Sequence, residues 1–187
     1  MKPIMLSMIT ALFLFVPNLS IMLATTVSSI DTELVSAAAP LLAEKIGRCD
    51  AIVTAEAKGI ALAYEISKIL GLKEFIVARK SEKSYMKDTL EVAVKSITTS
   101  SVQHLFLDGS DREKIKGREV CLLDDVVSTG DSLKAMEELV REAGAKVVRK
   151  AAILAEGDAA DRDDLVYLEY LPLFHKNEEG SYEEIRR

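Results

Sequence analysis

The chain has 187 residues, 49% apolar and 29% charged, the mix of one globular domain long enough to bury a real core. Its formal net charge is −6 and it carries no run rich in Lys and Arg. That excludes a dedicated nucleic-acid binder, because neutralising a phosphate backbone takes clustered cations, but leaves room for a local basic site facing one small phosphorylated substrate.

From Ile4 to Val16 the chain is almost unbroken apolar, after the single cation Lys2. Such a run is like the apolar part of a signal peptide. However, Pro17-Asn18 interrupts it, no Ala-x-Ala pattern follows, and it falls short of the roughly 20 residues that span a bilayer. The preferred reading is a buried strand pair over 11–16 and 19–27, with an export signal or anchor as the alternative. Asp31 then caps a helix over 32–46, with Leu34, Val35, Ala38, Leu41, Leu42 and Ile46 on one face and Gly47 at its end. A short buried strand over 51–54, a helix over 59–70 closed by Gly71, and a strand over 75–78 come next. Residues 79–89 are polar and loop-like. The segments 90–97 and 103–107 alternate with period two, as hairpin strands do, and Asp108-Gly109-Ser110 reads as a turn.

The central strand is 120–123, and the helix after it runs over 132–143. There Leu133, Met136, Val140 and Ala143 recur at helical spacing and Gly144 closes the element. Strands over 147–154 and 165–171 follow, the latter bounded by Pro172; the charged tail 177–187 reads as frayed. Strand–helix–strand alternation implies a parallel sheet covered on both faces, with ligands at the C-terminal strand edges near the switch in strand order. Asp124, Asp125 and Glu56 should emerge at that edge. The cysteines, Cys49 and Cys121, and the histidines, His104 and His175, show no metal-ligand spacing. We read both thiols as reduced and structural, as in a cytoplasmic protein.

The chemistry concentrates in Val120-Cys121-Leu122-Leu123-Asp124-Asp125-Val126-Val127-Ser128-Thr129-Gly130-Asp131-Ser132. A buried strand delivers two carboxylates beside a short run of small and hydroxyl residues that opens a helix. The carboxylates suit two ribose hydroxyls. Backbone N–H groups around Gly130, the hydroxyls of Thr129 and Ser132, and the positive end of the helix suit a phosphate. A plain helix cap by Ser128, Thr129 or Asp131 is compatible with that role. Asp131, an acid in an anion loop, is expected to turn away and cap Leu133 or Lys134. Glu56-Ala57-Lys58-Gly59 ends a strand and opens a helix; Arg79-Lys80-Ser81-Glu82-Lys83-Ser84-Tyr85 follows another strand. An ordinary helix start and a solvated basic loop are the alternative readings of these two segments.

Residues 122–132 resemble the phosphoribosyl-pyrophosphate signature of type I phosphoribosyltransferases: apolar strand, Asp-Asp, two apolar residues, then x-Thr-Gly-x-Ser/Thr. The resemblance spans roughly 31–174 and is nearest the adenine branch. It implies an α/β fold, a parallel twisted sheet flanked by helices, in one domain over 1–187. Residues 1–30 would supply hood strands, 31–155 the core, and 156–187 a C-terminal hood segment and tail. It places Asp124, Asp125, Val127, Ser128, Thr129, Gly130, Asp131 and Ser132 around ribose and its 5′-phosphate. Glu56, Ala57, Lys58, Gly59, Arg79, Lys80 and Lys83 would surround pyrophosphate. Arg79, Lys83, Tyr85 and Asp125 are its catalytic candidates, with Lys87 a weaker one. Lys58 stands where that branch carries arginine, a point charge in place of a fork.

The implied reaction moves a 5-phosphoribosyl group from phosphoribosyl pyrophosphate to a purine base, through an oxocarbenium-like transition state, with Mg²⁺ reached indirectly by Asp124 and Asp125. No Ser/His/Asp or Cys/His arrangement supports a covalent route. Enzymes of the family acting on 6-oxopurines often carry aspartate where this chain has Ser128, so adenine is the favoured base. Xanthine or another 6-oxopurine is the alternative acceptor, and a non-catalytic sensor of phosphoribosyl pyrophosphate the alternative class. The resemblance further implies a cytoplasmic homodimer with no nucleic-acid or membrane partner.

Overall fold

The computed structural model describes residues 32–95, 102–176 and 182–184. Their axis is β5 (Glu119–Val127), which pairs in parallel with β1 (Ala51–Ala55) on one side and β6 (Lys146–Glu156) on the other. With β2 (Ile76–Ala78) and β7 (Leu165–Leu171) at the edges, the five strands run in the order β2-β1-β5-β6-β7, every pair parallel. Apolar β-branched and aliphatic residues fill the central strands because both faces are covered. All of β1 is buried. In β5, Val120 and Leu122 enter one core and Cys121 and Leu123 the other.

The second of those cores packs under α1 (Thr32–Ile46) and α2 (Gly59–Ile69). The first packs under α4 (Asp131–Glu142) and an antiparallel hairpin of β3 (Leu90–Lys95) and β4 (Val102–Leu107). On α4 the apolar stripe Leu133, Met136, Leu139 and Val140 is buried. Each such side chain stabilises the fold by about 1.5–3 kcal/mol through burial alone. Among the described residues no helix is long and apolar enough to cross a membrane. Both cysteines are free and buried.

Three expectations need correction. Asp108-Gly109-Ser110 is the start of α3 (Gly109–Ile115), not a turn: Asp108 Oδ1 accepts from Ser110 N at 2.9 Å as the cap. Turn-forming and helix-capping residues are the same types, and this helix, with Ile115 its one buried residue, is too short to show periodicity. The central strand runs past residue 123 to Val127, so both acids lie within it. The tail is not frayed throughout, since β8 (Phe174–Lys176) and β9 (Tyr182–Glu184) pair antiparallel. The expected strands at 11–16 and 19–27, the Asp31 cap and positions 96–97 lie outside the described residues.

Candidate functional site

From β1 the chain passes to β2 on one side; from β2 it returns through the hairpin and α3 to β5 on the other. The strand order therefore reverses between β1 and β5, and their C-terminal ends open the crevice where such sheets bind ligands. Three connections meet there: 56–58 after β1, 79–89 after β2, and 128–130 after β5.

The turn after β5 is set by Gly130, at φ 79° and in the N-cap position of α4, where its carbonyl accepts from Lys134 N at 2.9 Å. A left-handed cap of this kind suits glycine. Thr129 Oγ1 lies 3.4 Å from Asp131 N, and Ser132 Oγ lies 3.5 Å from Gln103 Oε1 on β4. A cavity of about 130 Å³ opens here, lined by Asp124, Val127, Ser128, Thr129, Ser132 and Gln103 among others. Asp131 also lines it and is buried; it is the first helical residue, after Gly130 in the N-cap position.

The adjacent acids meet different neighbours. Asp124 faces the cavity, and its Oδ1 accepts from Asp125 N at 2.9 Å. Asp125 Oδ2 lies 3.9 Å from Lys58 Nζ, so it faces the connection after β1. Burial, then the charge and hydrogen bonding of Asp125, push the Asp124 carboxyl up to about 7, with the Lys80 charge opposing. A carboxyl held near neutrality accepts hydrogen bonds as an anion once a cation or hydroxyl donor arrives.

Glu56 organises the basic segment. Its Oε1 accepts from Arg79 Nη1 at 2.8 Å, its Oε2 accepts from Lys80 N at 3.1 Å, and Lys83 Nζ stands 3.7 Å from that oxygen. Burial alone would raise its pKa, but the Arg79 hydrogen bond, the Lys80 N–H and the Lys83 and Arg79 charges hold the carboxyl below its ordinary range. Arg79 is further fixed by its backbone, which exchanges both hydrogen bonds with Phe106 of β4 at 2.9 and 2.8 Å. At the far end Lys87 N donates to Asp108 Oδ2 at 2.9 Å. Gly59, first in α2, packs so closely on β1 that an added Cβ would collide with Thr54 Oγ1.

The structure thus brings Glu56, Lys58, Arg79, Lys80, Lys83, Asp124 and Asp125 to one crevice beside the turn from Ser128 to Ser132. Tyr85, 64% exposed, does not line the cavity. Among the described residues no group of three or more His, Cys, Asp or Glu could hold a metal ion alone. Two neighbours of the turn had no signal in the sequence: Gln103, an ordinary polar residue on a half-exposed strand, and Arg162, whose guanidinium lies against Gly130.

The family described as phosphoribosyl transferase domain matches residues 27–181. The chain is similar to a hypoxanthine/guanine phosphoribosyltransferase of Methanococcus voltae, 36% identical over 113 residues, covering 60% of this chain and 56% of that protein. It is 37% identical over 109 residues to the protein of that name from Methanobacterium lacus, covering 58% and 53%. The chain spans about half the length of these curated relatives. Among solved structures, adenine phosphoribosyltransferase from Thermoanaerobacter pseudethanolicus superposes with a TM-score of 0.64 at 21% identity, covering 75% of this chain and 82% of that one. That from Leishmania tarentolae gives a TM-score of 0.61 at 25% identity, covering 77% and 74%.

Proposed function

The chain belongs to the phosphoribosyl transferase domain family, and on that premise we propose that it transfers a 5-phosphoribosyl group from phosphoribosyl pyrophosphate to a purine base. The observation that carries this reading is the meeting, at one sheet edge, of an acid pair, an anion-sized turn at a helix N-terminus, and three cationic side chains. In it Asp124 and Asp125 accept from the ribose hydroxyls. The turn from Ser128 to Ser132 holds the 5′-phosphate through backbone N–H groups and the hydroxyls of Thr129 and Ser132. Lys58, Arg79 and Lys83 offset the charge that grows on the leaving pyrophosphate. Arg79 and Lys83 are already placed by Glu56, so little reorganisation is needed when charge moves.

Two adjacent carboxylates with no third protein ligand among the described residues fit a Mg²⁺ that arrives with its substrate phosphates. When bound, that ion supplies positive charge to the pyrophosphate oxygens. The reading takes 1–187 as one domain, with 31–155 as core, the segments 1–30 and 156–187 as a hood over the base, and Tyr85, in the connection 79–89, closing over the site.

Adenine is the first choice of acceptor, because Ser128 offers no carboxylate to a 6-oxopurine ring. A 6-oxopurine is the second, favoured by the names of the Methanococcus voltae and Methanobacterium lacus relatives. The test is chromatography of products after incubating the chain with phosphoribosyl pyrophosphate, Mg²⁺ and, separately, adenine, hypoxanthine, guanine or xanthine. Nucleotide and pyrophosphate should form in equal amounts with at least one base. No turnover with any purine would sink the reading.

A further inference from the structure

Beside the 5′-phosphate turn stands a chain of charges that begins on the helix following it. Glu137 Oε2, on α4, accepts from Lys150 Nζ of β6 at 2.8 Å. The same Nζ donates to Asp164 Oδ2 at 2.7 Å. Asp164 in turn grips Arg162 along one edge: Nε donates to Oδ1 at 3.0 Å and Nη2 to Oδ2 at 2.9 Å. Lys150 is 9% exposed, so the middle of this chain is shielded from water.

The geometry leaves the third guanidinium nitrogen directed at the turn. A Cβ at Gly130 would stand 2.7 Å from Arg162 Nη1. The guanidinium therefore fills the space that any side chain at position 130 would need, against the residue that caps α4. We propose that Arg162 is a positioning residue for the 5′-phosphate. Braced by Asp164, Lys150 and Glu137, it holds the left-handed turn at Gly130 and sets a fixed cation behind its N–H groups. The proposal rests on the assignment of that turn to a phosphate. A fork held bidentately by a carboxylate keeps its plane, as a lysine ammonium would not. The network meets α4 at its N-cap residue, Gly130, and again at Glu137, and so ties the cation to the helix start.

Calorimetric titration of the full chain with ribose 5-phosphate and, separately, with pyrophosphate and Mg²⁺ tests this. Ribose 5-phosphate carries the group this turn would hold; pyrophosphate belongs to the other side of the crevice. Arg162→Gln, which removes both the fixed cation behind the turn and the brace on Gly130, should weaken ribose 5-phosphate about tenfold and leave pyrophosphate within twofold. Asp164→Asn, which frees the fork while keeping the cation, should weaken ribose 5-phosphate about threefold. If Arg162→Gln melts early, Arg162→Lys carries the test, with an expected loss of about threefold because charge remains and the fork does not. Unchanged ribose 5-phosphate affinity in the folded variants, or an equal loss for pyrophosphate, overturns the role of Arg162. A wild-type chain that binds neither ligand overturns the function beneath it.

Discussion

Replacing Asp124 by Asn should make the ligand-free protein more stable while disabling it. The Asp124 carboxyl is pushed from 3.8 up to about 7 by burial and by Asp125. Below about pH 4 it is protonated in both the folded and the unfolded chain, so Asp and Asn behave alike. Between about pH 4 and 7 the unfolded chain has released a proton that the folded chain keeps, so stability falls as pH rises; above about pH 7 the penalty is complete. The full displacement corresponds to about 4 kcal/mol. Asp124 interacts closely with its neighbouring carboxylate and the Lys58 ammonium stands 3.9 Å from Asp125, so we expect about half, on the order of 2 kcal/mol at pH 8. For a domain of this size that raises the melting temperature by about 4–8 °C. Asn keeps the oxygen that accepts from Asp125 N and adds a donor towards the neighbouring carboxylate, so no buried group is orphaned. Thermal unfolding of both proteins at half-unit steps from pH 4 to 8 reads the difference directly. A difference that does not vary with pH, or an Asn variant less stable at pH 8, refutes the reasoning. The same variant should bind phosphoribosyl pyrophosphate more weakly, the usual opposition between site chemistry and stability.

Gly59→Ala should destabilise by about 2 kcal/mol, because the new methyl collides with Thr54 Oγ1. Adding Thr54→Ala should restore part of that loss, since this hydroxyl is buried with no hydrogen-bond partner among the described residues; losses that simply add in a double-mutant cycle would contradict the contact. Lys150→Met should lower stability by about 1–3 kcal/mol in urea titrations at pH 7, because Glu137 and Asp164 lose their shared cation. The Lys150 hydrogen bond, foremost, holds Asp164 below its ordinary range, so that contribution is present above about pH 4 and fades on further acidification. A penalty equally large at pH 3 would count against the ion pairs. Cys121 and Cys49 are buried with thiols shifted upward by desolvation; a thiol reagent at pH 8 should label them only as the chain unfolds, and rapid labelling of the native protein would disprove that burial.

Where local pattern and tertiary role coincide, the chain could be read directly. The stripe on α4 and the apolar runs of β1 and β5 state their burial in their own periodicity. The order of elements then leaves few topologies, because crossovers are short and parallel strands need covering. The acid pair and the turn after it are likewise contiguous in sequence, so their proximity needed no folding to be seen. Position 108 shows the limit of local reading: the same Asp-Gly-Ser serves a turn or a helix cap, and only the seven residues that follow it in space decide.

Everything that depends on residues far apart in the chain was settled by packing. Glu56 finds Arg79 and Lys83 because β1 and β2 are parallel neighbours whose ends open on the same side. Asp124 and Asp125, adjacent in sequence, meet different partners: Asp124 lines the cavity, while Asp125 Oδ2 lies 3.9 Å from Lys58 Nζ. Gln103 and Arg162 reach the turn from a hairpin and from the β6–β7 connection. Side-chain alternation and helical repeat are short-range properties of a backbone, and these are written in the order of residues. Contacts between segments depend on how twisted, covered strands align, so which charges meet follows from the packing of strands that lie far apart in the chain.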